Sequence, residues 1–253
     1  MNTMAAVHDF PIREICAPTL WSGQTPQHEL AALTALWDEP VSYVKQYAEA
    51  LKSVKLGYFV SYFSQKCLPG EWQPLNDHII WEDLGLSAKQ WRSVREDLMQ
   101  RQLLLNRRTV FPTGSLFTLN DSLLEKLITE HSDLSVSAVT APPITLNRLH
   151  IKVLSYLGLP FTAILWLALL QSKCRHQALS EWGDFSEWVP MPTQEVFEHS
   201  HLSRREQDSA LLALQSFGLA ESGRYGSPAT RHCRYSLKRL AELSSAYLNK
   251  TVW

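Results

Sequence analysis

The chain has 253 residues, 45% of them apolar and 19% charged, which suits one large or two ordinary folded domains and excludes a disordered or fibrous protein. Its 24 basic side chains are balanced by 25 acidic ones, so overall charge does not mark a nucleic-acid binder, and any such role has to rest on where the cations sit. The four cysteines, Cys16, Cys67, Cys174 and Cys233, form no CxxC pair, which excludes a dense disulfide framework and reads as free thiols in a reducing, cytoplasmic setting.

Residues 1–39 read as an N-terminal arm and helix. His8, Asp9, Arg13 and Glu14 interrupt any signal-peptide core, and Leu30, Leu33, Leu36 and Trp37 recur at helical spacing. A first unit then spans 40–131. It opens on an apolar helix carrying Val60, Phe63 and Cys67, followed by a polar loop ending at Trp72, a short helix from Leu75 to Leu84, and a tight turn at Leu86-Ser87. Ser87 and Gln90 have the spacing of a capping box, in which the hydroxyl accepts a free backbone N–H and the longer side chain reaches back to the cap. The helix that follows places Trp91, Val94 and Leu98 on one face, and strands from Leu103 to Val110 and from Leu116 to Leu119 flank Pro112-Thr113-Gly114.

Residues 132–142, rich in Ser, Thr, Ala and Pro, read as a linker to a second unit at 143–253. From Val153 to Leu170 there is no charge, a length near the lower edge of a membrane span. Gly158 and Pro160 split it, so Phe161 to Leu170 is expected to be a buried core helix, with no membrane role. A longer loop from Arg175 to Ser186, holding Trp182, leads to Trp188. A helix from Thr193 to His199, a turn at Leu202-Ser203, a second capping box at Ser203 and Glu206, a hairpin turn from Gly223 to Thr230, a strand-like Arg234-Tyr235-Ser236-Leu237 and a C-terminal helix complete the chain.

The two units repeat one another. Trp72 and Trp188 lie 116 residues apart, and at the same offset stand Pro74 and Pro190, Glu82 and Glu198, Leu86-Ser87 and Leu202-Ser203, Leu98 and Leu214, and Leu103 and Leu219. Upstream, Pro40-Val41-Ser42-Tyr43 answers Pro143-Ile144-Thr145-Leu146. Downstream, Phe117-Thr118-Leu119 is matched with Tyr235-Ser236-Leu237. The apolar helical spacing of Trp81, Trp91 and Trp166 places them in the core, whereas Trp182 and Trp188 are candidates for exposed stacking.

Helix, helix, tight turn, helix and β-hairpin form a mainly α plan with small hairpins, expected here as two winged helix-turn-helix domains in tandem. The run from Trp72-Gln73-Pro74-Leu75 through Leu84-Gly85-Leu86-Ser87-Ala88-Lys89-Gln90 to Leu103-Leu104-Leu105 resembles the winged-helix domains of phage and plasmid replication proteins and related regulators. Phe217-Gly218-Leu219-Ala220 keeps a glycine that Gln102 replaces in the first unit. The resemblance covers most of both units as a domain type. It implies that the helix after the turn enters the major groove of double-stranded DNA while the hairpin touches phosphates. Lys89, Arg92 and Arg95 would then face DNA from the first helix and Arg107 and Arg108 from its wing. In the second unit the corresponding set is Arg204 and Arg205, with Arg224, Arg231 and Arg234 from the wing. The plainer reading of the first set is a solvated basic face mixed with Glu82, Asp83, Glu96 and Asp97.

No phosphate-binding glycine loop, HExxH or GxSxG motif is present, and His199-Ser200-His201 reads as a surface pair, so neither an enzyme nor a cofactor or metal site is expected. The leading expectation is a DNA-binding protein of replication initiation or transcriptional control in a bacterial mobile element. The alternative is a tandem winged-helix assembly subunit of a chromosome-organising or similar complex, contacting a protein partner or a second copy through the N-terminal helix and the second unit, with Leu211 and Leu212 in the contact.

Overall fold

A computed structural model describes residues 40–110, 114–132, 142–181 and 188–251, and at 131–132, 175–181 and 251 only the backbone. The apolar helix expected around Leu30, Cys16, the linker residues 133–141 and Trp182 lie outside the described residues.

The first unit runs β1 (Val41–Tyr43), α1 (Lys45–Leu51), α2 (Val54–Lys66), β2 (Gln73–Pro74), α3 (Asp77–Leu84), α4 (Ala88–Gln100), β3 (Leu104–Thr109), β4 (Gly114–Leu119) and α5 (Asp121–Ser132). The second runs β5 (Ile144–Leu146), α6 (Arg148–Tyr156), α7 (Phe161–Glu181), β6 (Val189–Pro190), α8 (Thr193–Ser200), α9 (Arg204–Ser216), β7 (Ala220–Tyr225), β8 (Thr230–Tyr235) and α10 (Leu237–Thr251). The fold is mainly helical with small antiparallel sheets, ordered β2-β4-β3, β6-β8-β7 and β1-β5 among the described residues.

Local chemistry explains the helix starts. Ser53 Oγ caps α2, Asn76 Oδ1 caps α3 and Asn147 Oδ1 caps α6, each accepting the backbone N–H three residues on. Both expected capping boxes form: Ser87 Oγ accepts from Gln90 N while Gln90 Oε1 accepts from Ser87 N, and Ser203 and Glu206 do the same. The uncharged stretch at the start of α7 is core, with residues 163–170 all buried, and among the described residues no helix is long and apolar enough to cross a membrane.

The repeat holds at an unbroken offset of 116 from β2 to the last helix of each unit. Gln73 faces Phe117 as Val189 faces Cys233, and Leu104 faces Leu119 as Ala220 faces Tyr235. The amides of Asn120 and Ser236 donate to the carbonyls of Leu103 and Leu219 in turn. Phe117-Thr118-Leu119 therefore corresponds to Cys233-Arg234-Tyr235, and the expected match with Tyr235-Ser236-Leu237 is out by two residues. The paired apolar triplets misled because Cys233 occupies the place of a phenylalanine. Left-handed backbone repeats too: Gly85 (φ 66°) answers His201 (φ 60°), and Gln102 (φ 60°) answers Gly218 (φ 68°). Gln102→Gly, which removes a Cβ from a left-handed position, is expected to raise unfolding stability by about 0.5–1 kcal/mol in chemical denaturation.

The two units are joined through their first elements. β1 pairs with its own repeat, β5, so that Val41 faces Leu146 and Tyr43 faces Ile144, and one apolar cluster runs through both units. Tyr58 of α2 stacks on Phe161 of α7 with ring centroids 5.8 Å apart, and the Tyr43 hydroxyl donates to the Ser200 carbonyl at 2.7 Å.

Other boundaries differ from expectation. The loop expected from Arg175 continues α7 as far as Glu181, because its Gln, Ala and Leu residues suit a helix. The turn expected from Gly223 to Thr230 is strand at both ends, with only 226–229 between, and Leu237 starts a helix. Trp91 and Trp166 are buried as expected, but Trp81 is 37% exposed, as is its counterpart Phe197 at 38%. On a helix as short as α3 the buried stripe is carried by Ile80 and Leu84, which turns Trp81 outward.

Candidate nucleic-acid interface

On α4 the inward stripe of Trp91, Val94 and Leu98 fixes the outward face, since successive residues turn by about 100°. Lys89 and Arg92 are exposed there, and neither has an ion-pair partner among the described residues. Arg95 is different. It is half-buried, its guanidinium lies 6.0 Å from the Trp91 ring centroid, and it lines a cleft of about 480 Å³ with Asn76, His78 and Ser115. Of the hairpin cations, Arg108 is exposed on β3, and Arg107 lies over the Trp72 ring at 4.5 Å from its centroid. Trp72 thus holds a cation in place at the outer sheet face, a contact worth about 0.5–1 kcal/mol.

In the second unit Arg204 and Arg205 are exposed at the start of α9, with Arg204 at 4.0 Å from Asp208, and Arg224 is exposed on β7. Arg234 sits 4.9 Å over the Trp188 ring and pairs with Glu221 at 2.8 Å. Trp188 meets Tyr225 edge-on, and Tyr225 meets His232, both at 5.4 Å. Gly223 makes room for this cluster, since a Cβ there would lie 2.8 Å from the Tyr225 ring.

Arg231 is tied into the fold. Its guanidinium donates to the Met191 carbonyl at 3.1 Å, to Gln207 Oε1 at 2.9 Å and to Asp208 Oδ1 at 3.1 Å. Gln207 is fully buried, and its amide donates to the carbonyls of Thr193 and Leu202. At the 116 offset Gln207 stands for Trp91 and Arg231 for Ser115, so a polar network fills the place that one indole fills in the first unit. The polar residue at a core position of α9 was the signal in the sequence, because a buried amide demands partners.

Two exposed cations repeat in both units. Lys89 corresponds to Arg205 on the first turn of the outward helix, and Arg108 corresponds to Arg224 on the hairpin. In the second unit a cleft of about 560 Å³ is lined by Arg204, Arg224, Arg231, Asp208 and Leu211. Leu211, one of the two leucines considered for a partner contact, is itself buried within its own unit, whereas Leu212 is 67% exposed.

Set beside known proteins, the chain matches no family model and no curated protein.

The remaining chemistry-bearing groups are muted. Burial pushes the thiols of Cys67, Cys174 and Cys233 up to about 11, so they stay protonated at neutral pH and are poor nucleophiles. His201 is lowered from its ordinary range by burial, with Lys45 adding to that effect and Glu49 and Glu206 opposing it. His199 lies 4.0 Å from Glu195, and among the described residues no three metal-binding side chains gather.

Proposed function

We propose that the chain is a double-stranded DNA-binding protein built of two winged helix-turn-helix units, acting in replication initiation or transcriptional control of a bacterial mobile element. The observation that carries this reading is the recurrence of the same two exposed cations, Lys89 with Arg108 and Arg205 with Arg224, on the same two elements of both units. A helix cation and a hairpin cation flanking one face match a helix laid in a groove with the hairpin on the adjacent phosphates. Arg92 belongs to the base-facing part of this set in the first unit. Arg107 and Arg234, each held over a tryptophan, widen the basic rim, and Arg204 adds to it. Arg231 supports the second wing from inside.

The test is duplex binding as a function of salt. Each phosphate contact contributes about 0.9 to the slope of log affinity against log salt, so Arg205→Ala with Arg224→Ala is expected to flatten the slope by roughly 2, and Lys89→Ala with Arg108→Ala by the same amount. An unchanged slope in both double variants would remove these surfaces from the interface. A second reading, a tandem winged-helix assembly subunit that binds a protein, is favoured by the paired exposed aromatics Trp81 and Phe197. A stoichiometric protein partner with no duplex retained at low salt would decide for it.

A further inference from the structure

The outward rows of α4 and α9 can be compared position by position. Opposite the buried stripe, α4 presents Lys89, Ser93 and Glu96, and α9 presents Arg205, Ser209 and Leu212. The cation and the serine repeat, and the third-turn residue does not: a carboxylate in one unit, an apolar side chain in the other. Leu212 is 67% exposed, and no apolar neighbour accompanies it on that row. Asp208, which stands beside the row, is drawn toward the hairpin by Arg231 at 3.1 Å, so the acidic group next to Leu212 is neutralised. What remains facing outward is a cation, a hydroxyl and an isobutyl group.

We propose that this third-turn position sets base preference, Leu212 packing on the C5-methyl of a thymine and Glu96 accepting from the N4 amino group of a cytosine. The inference rests on the DNA-binding reading above and deepens it. The thymine methyl is the one apolar group on the major-groove edges, and the cytosine amino group is the donor that suits a carboxylate. Seven residues of helix separate Arg205 from Leu212, a rise of about 10 Å, so a cation on a phosphate and a leucine over a base about three pairs along fit one groove. The exposed Arg205 on the same outward row as Leu212, with Arg204 exposed beside it on the first turn, favours the polyanion over a protein segment as the occupant.

The test uses the full chain and the duplex that it selects from a randomised pool. Deoxyuridine, which lacks only the methyl, replaces each thymine in turn. One replacement is expected to weaken binding about fourfold, the worth of one buried methyl, and to have no effect on the Leu212→Ala variant. Leu212→Glu should move the preference at that base from thymine to cytosine, and Glu96→Leu should move its counterpart from cytosine to thymine. Both sites are on the helix surface, so the variants should keep the thermal midpoint of the parent chain, which circular dichroism checks. If every deoxyuridine is silent, or weakens parent and Leu212→Ala alike, while Arg205→Ala and Arg224→Ala still weaken binding, the base assignment is wrong and the DNA-binding reading stands. If no duplex is held at low salt, both fall. If deoxyuridine is silent and Leu212→Asp releases a protein that co-purifies with the chain, the leucine is a protein contact instead.

Discussion

Gly85→Ala is expected to lower unfolding stability by about 3 kcal/mol, although it adds a single methyl group. Gly85 ends α3 with φ 66°, and its N–H donates to the Trp81 carbonyl. The left-handed conformation alone costs a residue with a Cβ about 1–2 kcal/mol. The added atom would also lie 1.8 Å from Ser155 Oγ and 2.8 Å from Ser155 Cβ on α6, which belongs to the other unit. Forcing atoms into such a contact adds roughly 1–3 kcal/mol. Gly158→Ala separates the two contributions, because Gly158 has a similar φ of 79° and nothing within 4 Å, so it carries the backbone cost alone. In a chain of this size 3 kcal/mol corresponds to a fall of about 6–12 °C in the midpoint, against a few degrees for Gly158→Ala. The pair Gly85→Ala, Ser155→Gly should recover part of the loss. Equal midpoints for Gly85→Ala and Gly158→Ala would mean that α3 and α6 are not pressed together as described. The corresponding place in the second unit carries a histidine, His201, whose ring lies against Phe197 at 5.0 Å.

What could be read from the sequence was what is local. A capping box needs only Ser87 with Gln90 or Ser203 with Glu206, and a buried helix stripe needs only the spacing of Trp91, Val94 and Leu98. The joint between the units was not legible, because it is made by β1 pairing with β5 about a hundred residues away and by Gly85 meeting Ser155, neither of which leaves a pattern in one stretch of chain. Residue identity alone puts the hairpin register out by two. Phe117 and Cys233 differ greatly in size, yet they hold one register because Leu103 and Leu219 each accept the amide that follows the hairpin. Of the site residues, the exposed cations were found by type and spacing. The roles of Arg95 and Arg231 were not, since each depends on what fills the space beside it: an indole at Trp91 in one unit, an amide at Gln207 in the other.

Asp83→Asn is expected to cost about 2 kcal/mol at neutral pH, the worth of a hydrogen-bonded charged group, and progressively less in acid. The Asp83 side chain, 14% exposed, accepts from Lys66 Nζ at 2.8 Å and from the Tyr62 hydroxyl, and it faces Arg148 of the second unit at 3.7 Å. Burial by itself would raise its carboxyl. The hydrogen bonds from Lys66 and Tyr62 and the charges of Lys66 and Arg148 outweigh burial, and the net shift is downward. Burial and the carboxylate together push the Tyr62 phenol up, so it remains a donor throughout the accessible range. A carboxyl whose folded value is depressed takes up a proton more readily in the unfolded chain. The stabilisation it provides is therefore complete above the ordinary carboxylate range of about 4, and it drains away as pH falls through the lowered folded value. The parent chain should lose this increment as the pH falls below about 4, while Asp83→Asn, which has no such group, should not. Urea denaturation of both proteins from pH 7 to pH 2 checks it, and a gap between them that stays constant with pH would show that Asp83 contributes shape and not charge. Glu82→Gln is the matched control. Glu82 pairs with Lys152 at 2.9 Å across the same joint, but it is 36% exposed and solvent-screened, so its loss should cost well under about 1 kcal/mol. Because Asp83 is held by α2 of its own unit and faces α6 of the other, acid should loosen the joint between the units as well as lower global stability. On the proposed DNA-binding reading, the gain from presenting two binding surfaces on one body should then weaken with acid in the parent chain, whereas in Asp83→Asn it should be smaller already at neutral pH and lose nothing further from this site.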